Sequence, residues 1–102
     1  MTDLEITKLC AEAMGYTAFV DDVLDVIRLD YRYGVGYSPL RNDAEAMALV
    51  KKFKMQLTFD GFSRNWYAKD RLSELMTHAF DLNRAVCECV AQMQLAKQKV
   101  AA

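Results

Sequence analysis

The sequence predicts a small α+β domain, and three observations carry that prediction. A few short stretches alternate apolar and polar residues with period two, as half-buried strands do. Three other stretches repeat apolar residues at three- and four-residue steps, as amphipathic helices do. The strand stretches keep one polar face, whereas a sheet covered on both faces would read as nearly continuous apolar runs. The expected order is helix, strand, helix, strand, strand, helix (α-β-α-β-β-α). It forms a small antiparallel or mixed sheet of about three or four strands packed with three helices.

The first helix runs for about a dozen residues from Asp3. Thr2 and Glu5 stand at capping-box spacing, where each can satisfy an unpaired amide of the first turn. Ile6, Leu9, Cys10 and Ala13 make its apolar face, and Gly15 stops it. Residues 16–24 read ambiguously, because Tyr16–Val20 favours a strand and Asp21-Asp22 a turn. Beyond them Ile27, Leu29, Tyr31 and Tyr33 alternate with Arg28, Asp30 and Arg32, which predicts a strand with one charged face that ends at Gly34 and Gly36.

Tyr37-Ser38-Pro39-Leu40-Arg41 reads as a loop into the second helix. Asn42 caps that helix, with Glu45 reaching back. Ala46, Met47, Val50 and Phe53 face inward, and Lys51, Lys52 and Lys54 complement the helix dipole at the far end. Met55, Leu57 and Phe59 alternate with Gln56 and Thr58 to give the second strand. Asp60-Gly61 opens a hairpin loop to a third, Asn65–Lys69. Residues 70–80 fit a short helix or a ragged strand. The last helix starts near Asp81 or Leu82, with Leu82, Val86, Cys89, Met93 and Ala96 as its apolar stripe.

Composition narrows the function classes. The chain has 102 residues, enough for one domain spanning 1–102 and one modest core. A net charge of −1 gives none of the bulk basic surplus that nucleic-acid backbone binding usually shows, so general nucleic-acid binding is disfavoured and only a local basic cluster is left open. The apolar runs fall far short of the ~20 residues of a membrane span. The opening MTDLEITK lacks the basic and apolar regions of a signal peptide. Residence in the cytosol is the expectation. Cys10, Cys87 and Cys89 then read as buried free thiols of a reducing compartment.

Three runs resemble the phage ABA sandwich domain, a family of small bacteriophage proteins. The first is Tyr37-Ser38-Pro39-Leu40-Arg41-Asn42-Asp43-Ala44-Glu45-Ala46, continuing through Leu49-Val50-Lys51-Lys52-Phe53. The second is a strand with a tryptophan, Trp66. The third is Asp81-Leu82-Asn83-Arg84-Ala85-Val86-Cys87-Glu88-Cys89-Val90-Ala91. With the first helix they cover half to two thirds of the chain. The segment at roughly 19–36 is longer than the family pattern has. The resemblance implies helices on both sides of a small sheet, an αβα sandwich. It also implies an accessory gene of a bacteriophage acting in the host bacterial cytoplasm, with no general activity attached.

No catalytic or metal constellation is visible. His78 is the only histidine, and the sequence holds no H-x-E, C-x-x-C or H-E-x-x-H pattern. Asp21, Asp22, Asp25 and Asp30 lack the glycine and terminal glutamate of a calcium loop. The expectation is therefore a protein that is not an enzyme and uses no cofactor and no metal. Two helix starts are candidate ligand-binding points. Asp81-Leu82-Asn83-Arg84 offers free amides together with the Asn83 and Arg84 side chains to an anion. Tyr37, Arg41 and Asn42 place an aromatic ring beside a guanidinium, an arrangement that stacks on flat ligands. Arg28, Arg32, Trp66 and Tyr67 are candidate interface residues, since exposed aromatics with arginine neighbours mark interfaces. The functional expectation is a host-defence antagonist that sequesters a nucleotide-like signal at an interface between copies. The alternative is an inhibitor that docks on a host nuclease or surveillance complex. The expected partners are thus a small anionic ligand or a host protein, with homo-oligomerisation supplying the concavity that a small domain lacks.

Overall fold

The computed structural model describes residues 1–21, 26–29, 36–72 and 74–101. Three helices, α1 (Asp3–Ala13), α2 (Asp43–Phe53) and α3 (Leu82–Ala101), combine with two antiparallel sheets. One sheet is β1 (Ala18–Asp21), β2 (Val26–Leu29) and β3 (Gly36–Tyr37), in that order. The other is β4 (Gln56–Asp60), β5 (Asn65–Lys69) and β6 (Met76–Ala79), also in chain order. The fold is α+β, and the predicted order of elements holds with three further strands inserted. Two of these, β1 and β6, place strands at Ala18–Asp21 and Met76–Ala79 within the ambiguous segments 16–24 and 70–80. The third, β3, corrects the reading of Tyr37 as the start of a loop: it pairs with Ile27, and Gly36 with Arg28. Asp22, Asp25, Asp30, Tyr31, Arg32, Tyr33 and Gly34 lie outside the described residues, so the second half of the strand predicted over 27–33 does too.

The helix ends follow from local chemistry. Thr2 Oγ1 accepts the Glu5 amide at 3.1 Å, and its hydroxyl donates to the Glu5 carboxylate. Gly15 takes φ +81° just past the end of α1, a conformation that costs a residue without Cβ little. Lys52 Nζ donates to Ala13 O at 3.2 Å, so one helix caps the carbonyl end of another. Asn42 Oδ1 accepts the Glu45 amide at 3.0 Å as predicted. The Glu45 carboxylate binds the Ser38 amide at 2.9 Å, while the Asn42 amide donates to Ser38 O. That pair ties the entry loop to the helix. Asp81 Oδ2 accepts the Arg84 amide at 3.0 Å and caps α3.

Helix α3 is the central element. It lies against α1, α2, β5 and β6, and α1 in turn lies against β1 and β2. Ala85, Val86, Cys87, Cys89, Val90 and Ala91 are all buried, more of the circumference than the predicted stripe Leu82, Val86, Cys89, Met93, Ala96. The small residues in that run let neighbours approach from several sides. Cys10 Sγ donates to Cys87 O at 3.4 Å, and Thr77 Oγ1 donates to Ala85 O at 2.6 Å. All three cysteines are free and buried, as expected.

In the β4-β5-β6 sheet, strand alternation puts Leu57, Phe59, Trp66, Ala68, Thr77 and Ala79 on the helix side. Gln56, Thr58, Tyr67, Met76 and His78 lie on the other side, where all but the half-buried Tyr67 are exposed. The polar face read from the sequence is real, and no described helix forms over it the second layer implied by the resemblance.

Candidate functional site

Four of the five predicted ligand residues gather at one end of the molecule, where all three helices begin. There the helix starts carry Asp3, Asp43 and Asp81. Arg84 Nη2 sits 2.6 Å from Asp3 Oδ1, with Glu88 Oε1 at 3.8 Å from Nη1. Asn83 Nδ2 donates to Asp43 Oδ1 at 2.8 Å. Arg84 thus ties α3 to α1, and Asn83 ties α3 to α2. The guanidinium is held above its ordinary pKa, chiefly by the hydrogen bond to Asp3. Asn42 is on the same end, with its carbonyl occupied as a cap. Arg41 is exposed on the rim of a depression of about 320 Å³ that it shares with Asp3, Thr7, Tyr37 and Ser38. The donors expected to capture an anion are therefore in place, but two of them are already bound to carboxylates.

Tyr37 departs from its predicted role. Its side chain is buried, and its ring meets the edge of Tyr16 at 5.9 Å and 83°. It offers no ring face to a flat ligand beside Arg41, because its apolar body fills the space between β2 and the start of α2. The hydroxyl has no hydrogen-bond partner among the described residues. Burial pushes the phenol well above its ordinary pKa, with Cys10 and Cys87 adding to the effect.

Of the predicted interface residues, Trp66 and Tyr67 point to opposite faces of β5, as adjacent strand residues must. Trp66 packs on the core from the helix side and meets Phe59 at 5.0 Å. Tyr67 lies on the outer face and stacks on His78 at 5.4 Å and 28°. Arg28 lies on β2, with no described side chain, and Arg32 lies outside the described residues. The sequence reading missed the exposed apolar groups on and around the second sheet: Met76 on the outer face, Phe80 just beyond β6, Leu72 in the preceding loop, and Phe62 at the hairpin tip. Phe62 is fully exposed and Phe80 is 78% exposed. Phe62 could have been found, since it follows Asp60-Gly61 in a loop that has no inner face.

The hairpin tip itself is well ordered by Asp60. Its Oδ1 accepts the Phe62 amide at 3.1 Å, its Oδ2 accepts the Ser63 hydroxyl at 2.8 Å, and its backbone oxygen accepts the Arg64 amide at 2.7 Å. The Ser63 bond leads in holding this carboxyl below its usual range. Behind the hairpin, between α2 and α3, lies a groove of about 300 Å³ with Met47, Val50, Leu57, Leu82 and Val86 in its walls.

Among the described residues, no group of three His, Cys, Asp or Glu side chains is placed to hold a metal ion. No described helix is long and apolar enough to cross a membrane. Set against protein-family models, curated proteins and solved structures, the chain matches none of them.

Proposed function

We infer that the protein works by binding another protein through the open face of the β4-β5-β6 sheet. We further infer that it does so as a noncatalytic bacteriophage accessory protein in the host cytoplasm, against a host nuclease or surveillance complex. The observation that carries this reading is the Tyr67–His78 stack, with exposed Met76 beside it and Phe80 just beyond the strand end. A rigid aromatic pair with flexible apolar neighbours is a low-entropy anchor for a protein surface. The resemblance of the Tyr37, Trp66 and Asp81 runs supports the phage origin. The buried thiols support a noncatalytic role. Cys89 is pushed up to about 11 by burial, and Cys87 is raised further by its contact with Cys10, so neither supplies a thiolate at neutral pH. Self-association belongs to this reading, because a domain this small offers little concavity alone.

Capture of a nucleotide-like anion by Arg41, Asn83 and Arg84 is less well supported. An incoming phosphate would meet the carboxylates of Asp3 on Arg84 and Asp43 on Asn83, in a neighbourhood that also holds Asp81 and Glu88. Native mass spectrometry of protein recovered from bacterial lysate separates the readings. A bound protein that is lost in Phe80→Asp and kept in Arg84→Met is the expected result. A released nucleotide that disappears in Arg84→Met overturns it.

A further inference from the structure

We propose that β4 is a dimerisation edge: two copies pair antiparallel along Gln56–Asp60 about a two-fold axis at Thr58, and each Phe59 enters the groove beneath the partner's α2. This inference supplies an interface for the self-association invoked above, and it leaves Tyr67, Met76 and His78 of the protein-binding face uncovered.

Strand β4 is the outer strand of its sheet, so alternate residues turn unpaired amides and carbonyls away from β5. Edge strands of monomers are usually blunted by proline, lysine, glycine or a bulge. The run Gln56-Leu57-Thr58-Phe59-Asp60 has no such residue and pairs with β5 in unbroken register. A two-fold axis at Thr58 sets Gln56 against Asp60, Leu57 against Phe59, and Thr58 against Thr58. No like charges meet, and side chains of one face stay on one face.

The helix-side pair decides the matter. Phe59 is 51% exposed although alternation places it on the core side, because no described strand lies beyond β4. Leu57, which it would face in the second copy, lies in the groove walled by Met47 and Val50 of α2 and Leu82 and Val86 of α3. Met47 is itself 41% exposed. The exposed ring of each copy therefore meets the apolar recess of the other, and the exchange is reciprocal, as a closed two-fold interface requires. In the same register the fully exposed Phe62 falls beside the partner's Lys54, whose alkyl stem can cover it. Rings of roughly 150–250 Å² each, half exposed at Phe59 and fully exposed at Phe62, give about 300 Å² of apolar cover per copy before the strands are counted. The total lies near the lower bound of about 1,000 Å² for specific interfaces, which fits a concentration-dependent dimer. The opposite edge is a poorer candidate. An equivalent axis on β6 sets His78 against His78, and it leaves Met76 and Phe80 on an open face with no recess.

Sedimentation velocity over a concentration series, with an engineered cross-link, tests this on the full chain. The wild type is expected to form dimers, and Phe59→Asp to weaken the association at least about tenfold with far-ultraviolet circular dichroism unchanged. Thr58→Cys is expected to form a covalent dimer with oxidised glutathione, since paired strand residues have the Cα spacing a disulfide needs. Gln56→Cys, which faces Asp60 of the second copy, is expected to stay uncrosslinked. The native thiols are buried and do not compete. A wild type that stays monomeric, with Thr58→Cys uncrosslinked, removes self-association and this interface together. A wild-type dimer that ignores Phe59→Asp and fails to cross-link at Thr58 removes the β4 contact and leaves self-association standing.

Discussion

Replacing Tyr37 by phenylalanine should stabilise the protein, although tyrosine is the residue that the fold has recruited. The ring is 5% exposed, packs edge-on against Tyr16, and sits on a strand whose backbone is paired to Ile27. All of that survives loss of the oxygen. What disappears is a buried hydroxyl without a hydrogen-bond partner among the described residues. Leaving such a group unsatisfied costs about 1–3 kcal/mol. The Tyr37→Phe variant therefore recovers a gain of roughly 1–2 kcal/mol, because the cavity left by one oxygen forfeits a little packing. In a domain of about 100 residues each kcal/mol moves the midpoint by roughly 4–8 °C, so Tm should rise by several degrees. Urea titration followed by Trp66 fluorescence should show a higher midpoint at unchanged slope, which assigns the gain to the native state. A loss of more than about 0.5 kcal/mol would refute the reasoning, since it would mean that the hydroxyl is bonded in solution, for instance through a buried water.

Three further outcomes follow from the core and the thiols. Leu49→Ala removes a fully buried side chain on α2 and should cost about 2–5 kcal/mol, read as a lower urea midpoint. With a total stability of about 5–15 kcal/mol, the variant should still fold at low temperature. In the native protein at pH 8, Cys10, Cys87 and Cys89 should all resist a thiol reagent that labels all three in guanidinium. The Cys89 thiol is raised from 9.0 to about 11, so its neutral form stabilises the fold fully below the unfolded value. That contribution is lost as pH climbs through the folded value, and the urea midpoint should fall between pH 9 and 11. A flat midpoint across that window would show that Cys89 does not titrate there.

The legible parts of the fold are those set by neighbours in sequence. The Thr2 and Asn42 caps, the Gly15 stop, the start of α3 and the β4–β5 hairpin each depend on residues within a few positions of one another. Strand β3 has only two residues, too few for a period. In β6 the outward residues Met76 and His78 are no more polar as a pair than the inward Thr77 and Ala79, so alternation carries no sign of which side is the core. The burial of Ala85, Cys87 and Ala91 on the flanks of α3 was hidden because small residues read as neutral until a neighbour is known to press on them. The pairings at the candidate site were hidden for a related reason. Arg84 and Asn83 look available in sequence, but their acids are 81 and 40 residues away, at the starts of other helices. Exposure of Phe59 likewise depends on its strand being an edge, a property of topology that alternation does not encode.

The placement of α3 explains why this chain keeps apolar surface in water. A helix buried from several sides needs α1, α2 and one sheet face around it, and the described residues hold no further helix for the other face or for the β4 edge. Single exposed hydrophobics are ordinary on any protein. Here five of the seven large exposed hydrophobics among the described residues, Phe59, Phe62, Leu72, Met76 and Phe80, belong to one sheet and its loops, Met1 and Met47 being the others, while Arg84 and Asn83 at the end where the helices begin are paired to carboxylates. Apolar groups concentrated on one element mark contact surfaces rather than chance. The edge and the face of that sheet are also separable by mutation. Phe59 lies on the helix side of β4, and Met76 lies on the outer side of β6, two strands away. A copy paired along β4 would leave Tyr67 and His78 open, so occupation of one surface does not exclude occupation of the other.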